Sequence, residues 1–463
     1  MIAVVVVVVA LAAGGGVWFW QQSGDGGGGG GDLAAGADTQ LTLTMEEKIP
    51  DDWTPEGDEV EMSVGSWIEG RWWTDKHLVR EMPDEVVAYD PATGEAAWRL
   101  PLEGNGSCPS SREVTSEGYV AILRGDGMGS KAEKGCHQLT MVDITQGKEV
   151  WTVELEKMSP NQLVGITPIP VILGDYVHLA TGDGGVHLSV ADGSPTQMTL
   201  VGNCEPAAYQ AIDETLISWM SCVNKEREPF YALLGWTGEM REIAWGWRHP
   251  EGGKKPVVAR VLSLEPLVVV SDTRTEQEIW RVQPGKGTVD DPGEHTVLVP
   301  SDPSISRPCP ASTNLTHCDH VLVGDGVLYL RERLDENGRQ HGIVAVDMET
   351  GDKRWTARAE GEASLCLIDL DENGRPILFQ PQEGDAAAAV VAADPKTGDL
   401  TALAGLPKVE TGAPGQNMVS NGDHGTGLLT WHDGTLGLLT SAVVVTKEGG
   451  GGGAGSLASL VYS

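Results

Sequence analysis

The stretch "DLDENGRP" sets Asp369, Asp371 and Asn373 at alternate positions ahead of Gly374. That spacing brings oxygen-bearing side chains around a hard cation such as Ca2+ while glycine makes the sharp turn. The twelfth position is Gln380, where an EF-hand loop needs a bidentate glutamate. The stretch therefore reads as a polar hairpin turn, with a Ca2+ site as the alternative. "CPASTNLTHCDH" gathers Cys309, His317, Cys318, Asp319 and His320, residue types that suit Zn2+ or copper. In an oxidising compartment its two cysteines pair with each other instead. Glycine-rich "RGDGMGS" at Arg124 and "TGDGGVHL" at Thr181 resemble phosphate cradles, but neither runs into a helical pattern. Both read as loops between strands. Neither a Gly-x-Ser-x-Gly elbow nor a His-Glu-x-x-His motif occurs. Trp236, Trp245 and Trp247 crowd one segment, and the last two, spaced by two, share one face of a strand. Packed between sheets they are core; exposed, they would stack on a sugar or hold a peptide.

The elements that must position these groups announce themselves by repetition. "VVAYDPATGEAAW" ends at Trp98, "MVDITQGKEVW" at Trp151 and "IVAVDMETGDKRW" at Trp355. "VVAADPKTGDL" begins at Val390 and places Ala402 where the tryptophan would fall. Each is a hairpin. A strand ends at Asp90, Asp143, Asp347 or Asp394, whose carboxylate accepts local backbone N–H groups. Gly94, Gly147, Gly351 or Gly398 then supplies the positive φ that closes the turn. The next strand carries the tryptophan, whose area locks one sheet against another. Turn-then-apolar-strand signals begin at Thr74, Glu117, Gly174, Asp213, Glu265, Gly324, Glu372 and His432. Their number and spacing ask for an all-β, eight-bladed propeller of four-stranded antiparallel blades, with seven blades as runner-up. The last unit runs out before its fourth strand, which "QLTLTMEE" (Gln40–Glu47) is expected to supply, closing the ring.

The net charge of -35, from 67 acidic against 32 basic residues, opposes binding to nucleic acid or to anionic lipid surfaces. Residues 2–20 carry no charged side chain, are long enough to cross a bilayer as one N-terminal apolar helix, and end in Trp18 and Trp20. They read as a membrane anchor (1–20) followed by a glycine-rich linker (21–39) and the propeller (40–463). A signal cleaved near Ala10-Leu11-Ala12 is the alternative, and both readings put the remainder outside the cytoplasm. Seven cysteines suit that compartment. Short-range pairing predicts Cys108–Cys136, Cys204–Cys222 and Cys309–Cys318, leaving Cys366 over.

The pattern Ala-x-Asp-x-x-Thr-Gly-x-x-x-Trp resembles the pyrroloquinoline-quinone-like propeller repeat. Ala88, Asp90, Thr93, Gly94 and Trp98 fit it, as do Ala345, Asp347, Thr350, Gly351 and Trp355. The layout is similar to membrane-anchored repeat proteins of this type in actinobacteria and, more distantly, to the assembly lipoprotein BamB. The resemblance spans roughly residues 40–463 and implies the fold. Quinoprotein dehydrogenases of this fold add a Ca2+ site beside the quinone, a catalytic aspartate and often an adjacent cysteine pair. This chain has no adjacent cysteines. The expectation is a non-catalytic binding or scaffold propeller outside the cytoplasm, engaging a protein or envelope component, with no cofactor. A small-ligand sensor and a divergent quinoprotein oxidoreductase are the alternatives.

Overall fold

In a computed structural model of the chain, the described residues are 39–47, 66–67, 70–82, 85–102, 108–125, 136–155, 169–181, 184–196, 201–237, 242–250, 258–273, 276–285, 289, 293–302, 304–306, 308–309, 318, 320–333, 341–359, 363–382, 387–407, 427–440, 442–443 and 459–463. The apolar N-terminal segment and most of the linker lie outside them. No helix among the described residues is long and apolar enough to cross a membrane.

Eight antiparallel blades follow one another around a ring: 71–101, 119–154, 171–196, 204–248, 258–299, 321–357, 366–405 and 427–462. We number them 1 to 8. The eight turn signals all fall on the hairpins between first and second strands. Blade 2 departs slightly, its first strand being reduced to a single bridge between Ser110 and Ile122. First strands of neighbouring blades touch, at junctions 3–4, 4–5, 6–7 and 7–8, which sets them at the ring axis. Fourth strands face solvent, as the mostly exposed Ala96–Pro101 and Lys148–Glu154 show.

The core is divided into eight hydrophobic clusters, one at each junction. Val79 and Ala88 of blade 1 meet Val120, Ile122 and Val142 of blade 2. Leu439 and Val461 of blade 8 meet Leu78 and Val87 of blade 1. Eight closed junctions set aside the seven-bladed alternative. Second and third strands are buried on both faces, so they read as continuous apolar runs such as "VVAY" (Val86–Tyr89) rather than as alternation.

The N-terminal segment does close the ring, but as two pieces. Thr39–Gln40 pairs in parallel with the outer strand of blade 7. Leu43–Glu47 pairs with Ser459–Tyr462 as the fourth strand of blade 8. Between them Leu41 turns into the core at the 7–8 junction.

The repeated sentence builds the junctions. Asp90, Asp143, Asp347 and Asp394 each accept two backbone N–H groups of their turn on one carboxylate oxygen, at 2.8–3.3 Å. The glycine four residues on has φ between 65° and 79°. The tryptophan then leans on the next blade's glycine. A Cβ on Gly147 would sit 2.6 Å from the Trp98 ring, on Gly193 2.9 Å from Trp151, and on Gly398 2.7 Å from Trp355. Trp151 Nε1–H donates to Val190 O at 2.7 Å and Trp355 Nε1–H to Pro395 O at 2.9 Å. Where no tryptophan precedes, backbone fills the place: Leu298 O lies over Gly351, and Thr44 O of the closing strand over Gly94.

Candidate functional site

Alternating strand direction gives the ring two unlike faces. Hairpins joining first to second and third to fourth strands share one, here the turn face. Connections from second to third strands and from blade to blade share the other, the loop face. The longest connections, 48–65, 102–118, 155–170, 300–320 and 406–426, all belong to the loop face. All three predicted disulfides form, and all three lie there. Cys108–Cys136 ties the entry to blade 2 to the start of its third strand, Cys204–Cys222 joins opposite residues of blade 4, and Cys309–Cys318 staples the entry to blade 6. Cys309 and Cys318 are bonded to each other, so neither serves as a thiolate ligand. His317 and Asp319 lie outside the described residues. Cys366, at the loop-face end of blade 7, is buried and outside the disulfides, and burial pushes its thiol pKa up.

Under these connections lies a buried polar layer. Arg80, Arg124, Arg260 and Arg331 are buried. Arg260 Nη1 approaches Asp272 Oδ2 at 3.3 Å, and Gln277 Nε2 donates both to Asp272 Oδ2 (2.7 Å) and to Cys309 O (2.6 Å). Cys309 N–H returns a bond to Gln277 Oε1. Arg331 Nη2 donates to His341 Nδ1 at 3.2 Å, and His341 N–H donates to Ser364 Oγ. The Gln277 bonds anchor the backbone of Cys309, at the entry to blade 6, to a blade side chain, and the Ser364 hydroxyl, at the entry to blade 7, accepts from the strand backbone at His341. None of the buried residues stands in a repeated sentence. The only sequence signal for them is a polar residue ending an otherwise apolar second strand, as in "LVRE" and "VVVSD".

The turn face holds the first candidate. Asp369, Asp371 and Asn373 share the first hairpin of blade 7. Asp371 Oδ1 accepts N–H from Asn373 and Arg375, and its Oδ2 pairs with Arg375 Nε at 2.7 Å. Asp369 accepts its neighbour Leu370 N–H, and burial pushes its carboxyl above the usual range. Gly374 has φ 72°. The spacing thus serves the turn, with Asp371 engaged by a guanidinium. Of the glycine-rich runs, Arg124–Gly125 ends a strand, and "TGDGGVHL" spans the hairpin between Thr181 and Gly184.

Two histidine clusters went unread in the sequence. His178 and His187 face each other across blade 3, Nδ1 to Nδ1 at 2.6 Å, with Tyr209 OH of blade 4 at 3.4 Å from His187 Nε2. His249 stacks on Trp280 and bonds Ser271 Oγ at 2.9 Å. Burial holds His178 well below the ordinary imidazole range, the His187 charge adding to it, and lowers His187 itself to about 4. Burial, with His295 nearby, lowers His249 to about 3. Unfolded imidazoles take up protons below about pH 6.5, which the folded chain refuses until far lower. Stability is therefore expected to be level above pH 7 and to fall from about pH 6.5 towards 4, by roughly 1.4 kcal/mol per pH unit per histidine. Urea midpoints at pH 7.5 and 5.0 check this; equal midpoints would contradict it, and His249→Gln should flatten the slope.

Closure by eight junctions, with the Asp-x-x-x-Gly turn and its tryptophan latch, defines a pyrroloquinoline-quinone-like repeat propeller. The chain belongs to the family described as outer membrane protein assembly factor BamB, whose model matches residues 6–203 and 232–422. No curated protein sequence matches it. Among solved structures it is similar to the quinohemoprotein alcohol dehydrogenase ADHIIG of Pseudomonas putida HK5, with TM-score 0.47 and 11% identity over 92% of this chain and 76% of that one. The quinohemoprotein alcohol dehydrogenase of Comamonas testosteroni gives 0.46 and 12% over 87% and 76%. The C-terminal WD40 domain of Sif2 gives 0.47 and 9% over 92% and 98%. A quinone with its cation asks for converging carboxylate and amide oxygens. Buried Asp272 is engaged by Arg260 and Gln277, and the capping aspartates are engaged by their turns. No three His, Cys, Asp or Glu side chains converge among the described residues. No step is derived through such a group.

The disulfides carry an ordered prediction. They close separations of 28, 18 and 9 residues. Loop-closure entropy makes removal of Cys108–Cys136 the costliest, about 3.6 kcal/mol, which exceeds the cost for Cys309–Cys318 by about 1 kcal/mol. Urea unfolding of the paired Cys→Ser variants checks the order.

Proposed function

We propose that the protein is a non-catalytic, extracytoplasmic binding propeller. It is carried on the membrane by residues 1–20 and holds a protein or envelope component on its loop face. The observation that supports this most is the asymmetry of the ring. Long connections, every disulfide and the buried Arg–Asp–Gln–His layer gather on one face, which is how a rigid scaffold presents specific loops. The family's description as an assembly factor points the same way.

Site-specific photo-cross-linking in cells tests it. Benzoylphenylalanine replacing exposed Glu226, on the loop face, should give one discrete adduct. The same group replacing exposed Asp175, on the turn face, should not. Adducts from Asp175 alone would overturn the assignment. Thermal unfolding with Ca2+ plus pyrroloquinoline quinone should match unfolding without them. A gain of about 2.7 kcal/mol, as expected for a ligand at 100 times its Kd, would restore the oxidoreductase reading.

A further inference from the structure

The turn face carries a cleft that the loop-face reading leaves unused. It lies between blades 4, 5 and 6 and measures about 370 Å3, within the range of small-ligand pockets. Its walls are Trp245, Pro266 and Pro284, and its polar groups are Gln283, Arg281 and Glu349. Trp247, two residues from Trp245 on the same face, is fully buried in the 4–5 junction, whereas Trp245 is half-buried at the rim. The Trp245 ring rests against Gly235 of the neighbouring strand, where any Cβ would collide with it. The indole is therefore a fixed platform, lacking a side chain beneath it because it occupies that space itself.

We propose that this cleft binds a neutral sugar unit of an envelope glycan. A half-exposed indole held flat by the sheet attracts the polarised C–H face of a pyranose through its ring quadrupole, while burying apolar surface. The hydroxyls need donors and acceptors at the rim, which the Gln283 amide and the Arg281–Glu349 pair provide. Charge balance selects the class. Arg281 donates to both the side chain and the backbone carbonyl of Glu349, so the rim presents paired rather than net charge. A phosphate or carboxylate ligand would have to break that pair; a neutral polyol bonds to it as it stands. A proline-rich peptide could use the same aromatic wall, but its backbone carbonyls recur in an extended groove. Here the lining is drawn from three blades rather than from one continuous sheet edge.

The full chain is titrated by calorimetry with maltotriose, triacetylchitotriose and mannobiose, and with a proline-rich decapeptide. Saturable binding of at least one sugar is expected, with saturation-transfer NMR signals on its ring protons. Trp245→Ala should weaken it by about tenfold or more. Trp245→Phe, which keeps a platform, should stay within a few-fold, and Gln283→Ala should weaken it without changing the thermal midpoint. Failure of all three sugars, equal affinity in Trp245→Ala with an unchanged midpoint, or binding of the decapeptide alone would each overturn the proposal.

Discussion

Removal of residues 1–47 is expected to cost on the order of 5 kcal/mol or more, and to split the single unfolding transition. Two junctions, 7–8 and 8–1, depend on residues 39–47. Leu41 is buried with Ala404, Leu406, Leu436 and Tyr462, and Met45 with Leu78, Val87, Leu439 and Val461. Truncating a buried leucine or methionine typically costs 2–5 kcal/mol each. The ladder is lost too: Leu41 N–H to Gly405 O at 2.9 Å, Thr42 N–H to Ser463 O at 3.0 Å, and the pairing of Leu43–Glu47. Thr44 O over Gly94 is the contact that joins blade 8 to blade 1 in place of a tryptophan. Total stabilities of domains are commonly about 5–15 kcal/mol, so this loss is a large fraction. The control is a chain beginning at residue 39. It should unfold as the full chain does, because it keeps every strand pairing among the described residues. A chain beginning at residue 48 that kept one transition at the same urea midpoint would refute the clasp.

Trp355→Ala should be the most damaging change in the repeated sentence. Trp355 is 8% exposed, packs with Ile343, Ala345 and Val391, and bonds Pro395 O. Tryptophan-to-alanine changes in cores cost about 3–5 kcal/mol. Gly398→Ala attacks the same latch from the other blade. Its φ of 79° lies where an L side chain costs roughly 1–2 kcal/mol, and its Cβ would press on the indole. In the double variant the indole is gone and the methyl has room. The double variant should then lose less than the sum of the two single losses, with a coupling of about 0.5–3 kcal/mol. Additivity within about 0.3 kcal/mol would mean that ring and turn do not act as one unit.

How much of this was legible follows from how each feature is encoded. The turns were, because Asp and Gly are needed for reasons local to four residues. The blade-3 turn escaped because Ser189 stands where Asp is expected, its hydroxyl accepting Ala191 N–H at 3.2 Å while Gly193 keeps the positive φ. The disulfides were legible from the short separation of each pair along the chain. The closing segment was legible from a missing strand, yet its division between blades 7 and 8 was not, since that depends on where Leu41 finds a hole. The loop-face layer left only the polar residue that ends an apolar second strand, not its partners. Arg260, Asp272, Gln277 and Cys309 come from four elements, and no spacing along the chain records that they meet. The pairs at Trp245 and Trp247 were seen as one face, but only three-dimensional packing separates the buried ring from the rim.

The clasp also decides where the ring would yield to a mechanical load. Any pull applied through residues ahead of Thr39 enters at the seam between blades 7, 8 and 1. It is borne first by the short parallel contact of Thr39–Gln40 with Ala404–Gly405, and next by the ladder of Leu43–Glu47 with Ser459–Tyr462. The other seven blades carry their fourth strands as hairpins of the same chain and are loaded only after that ladder parts. Under tension the seam is the fuse, and the ring would open there while the remaining junctions hold.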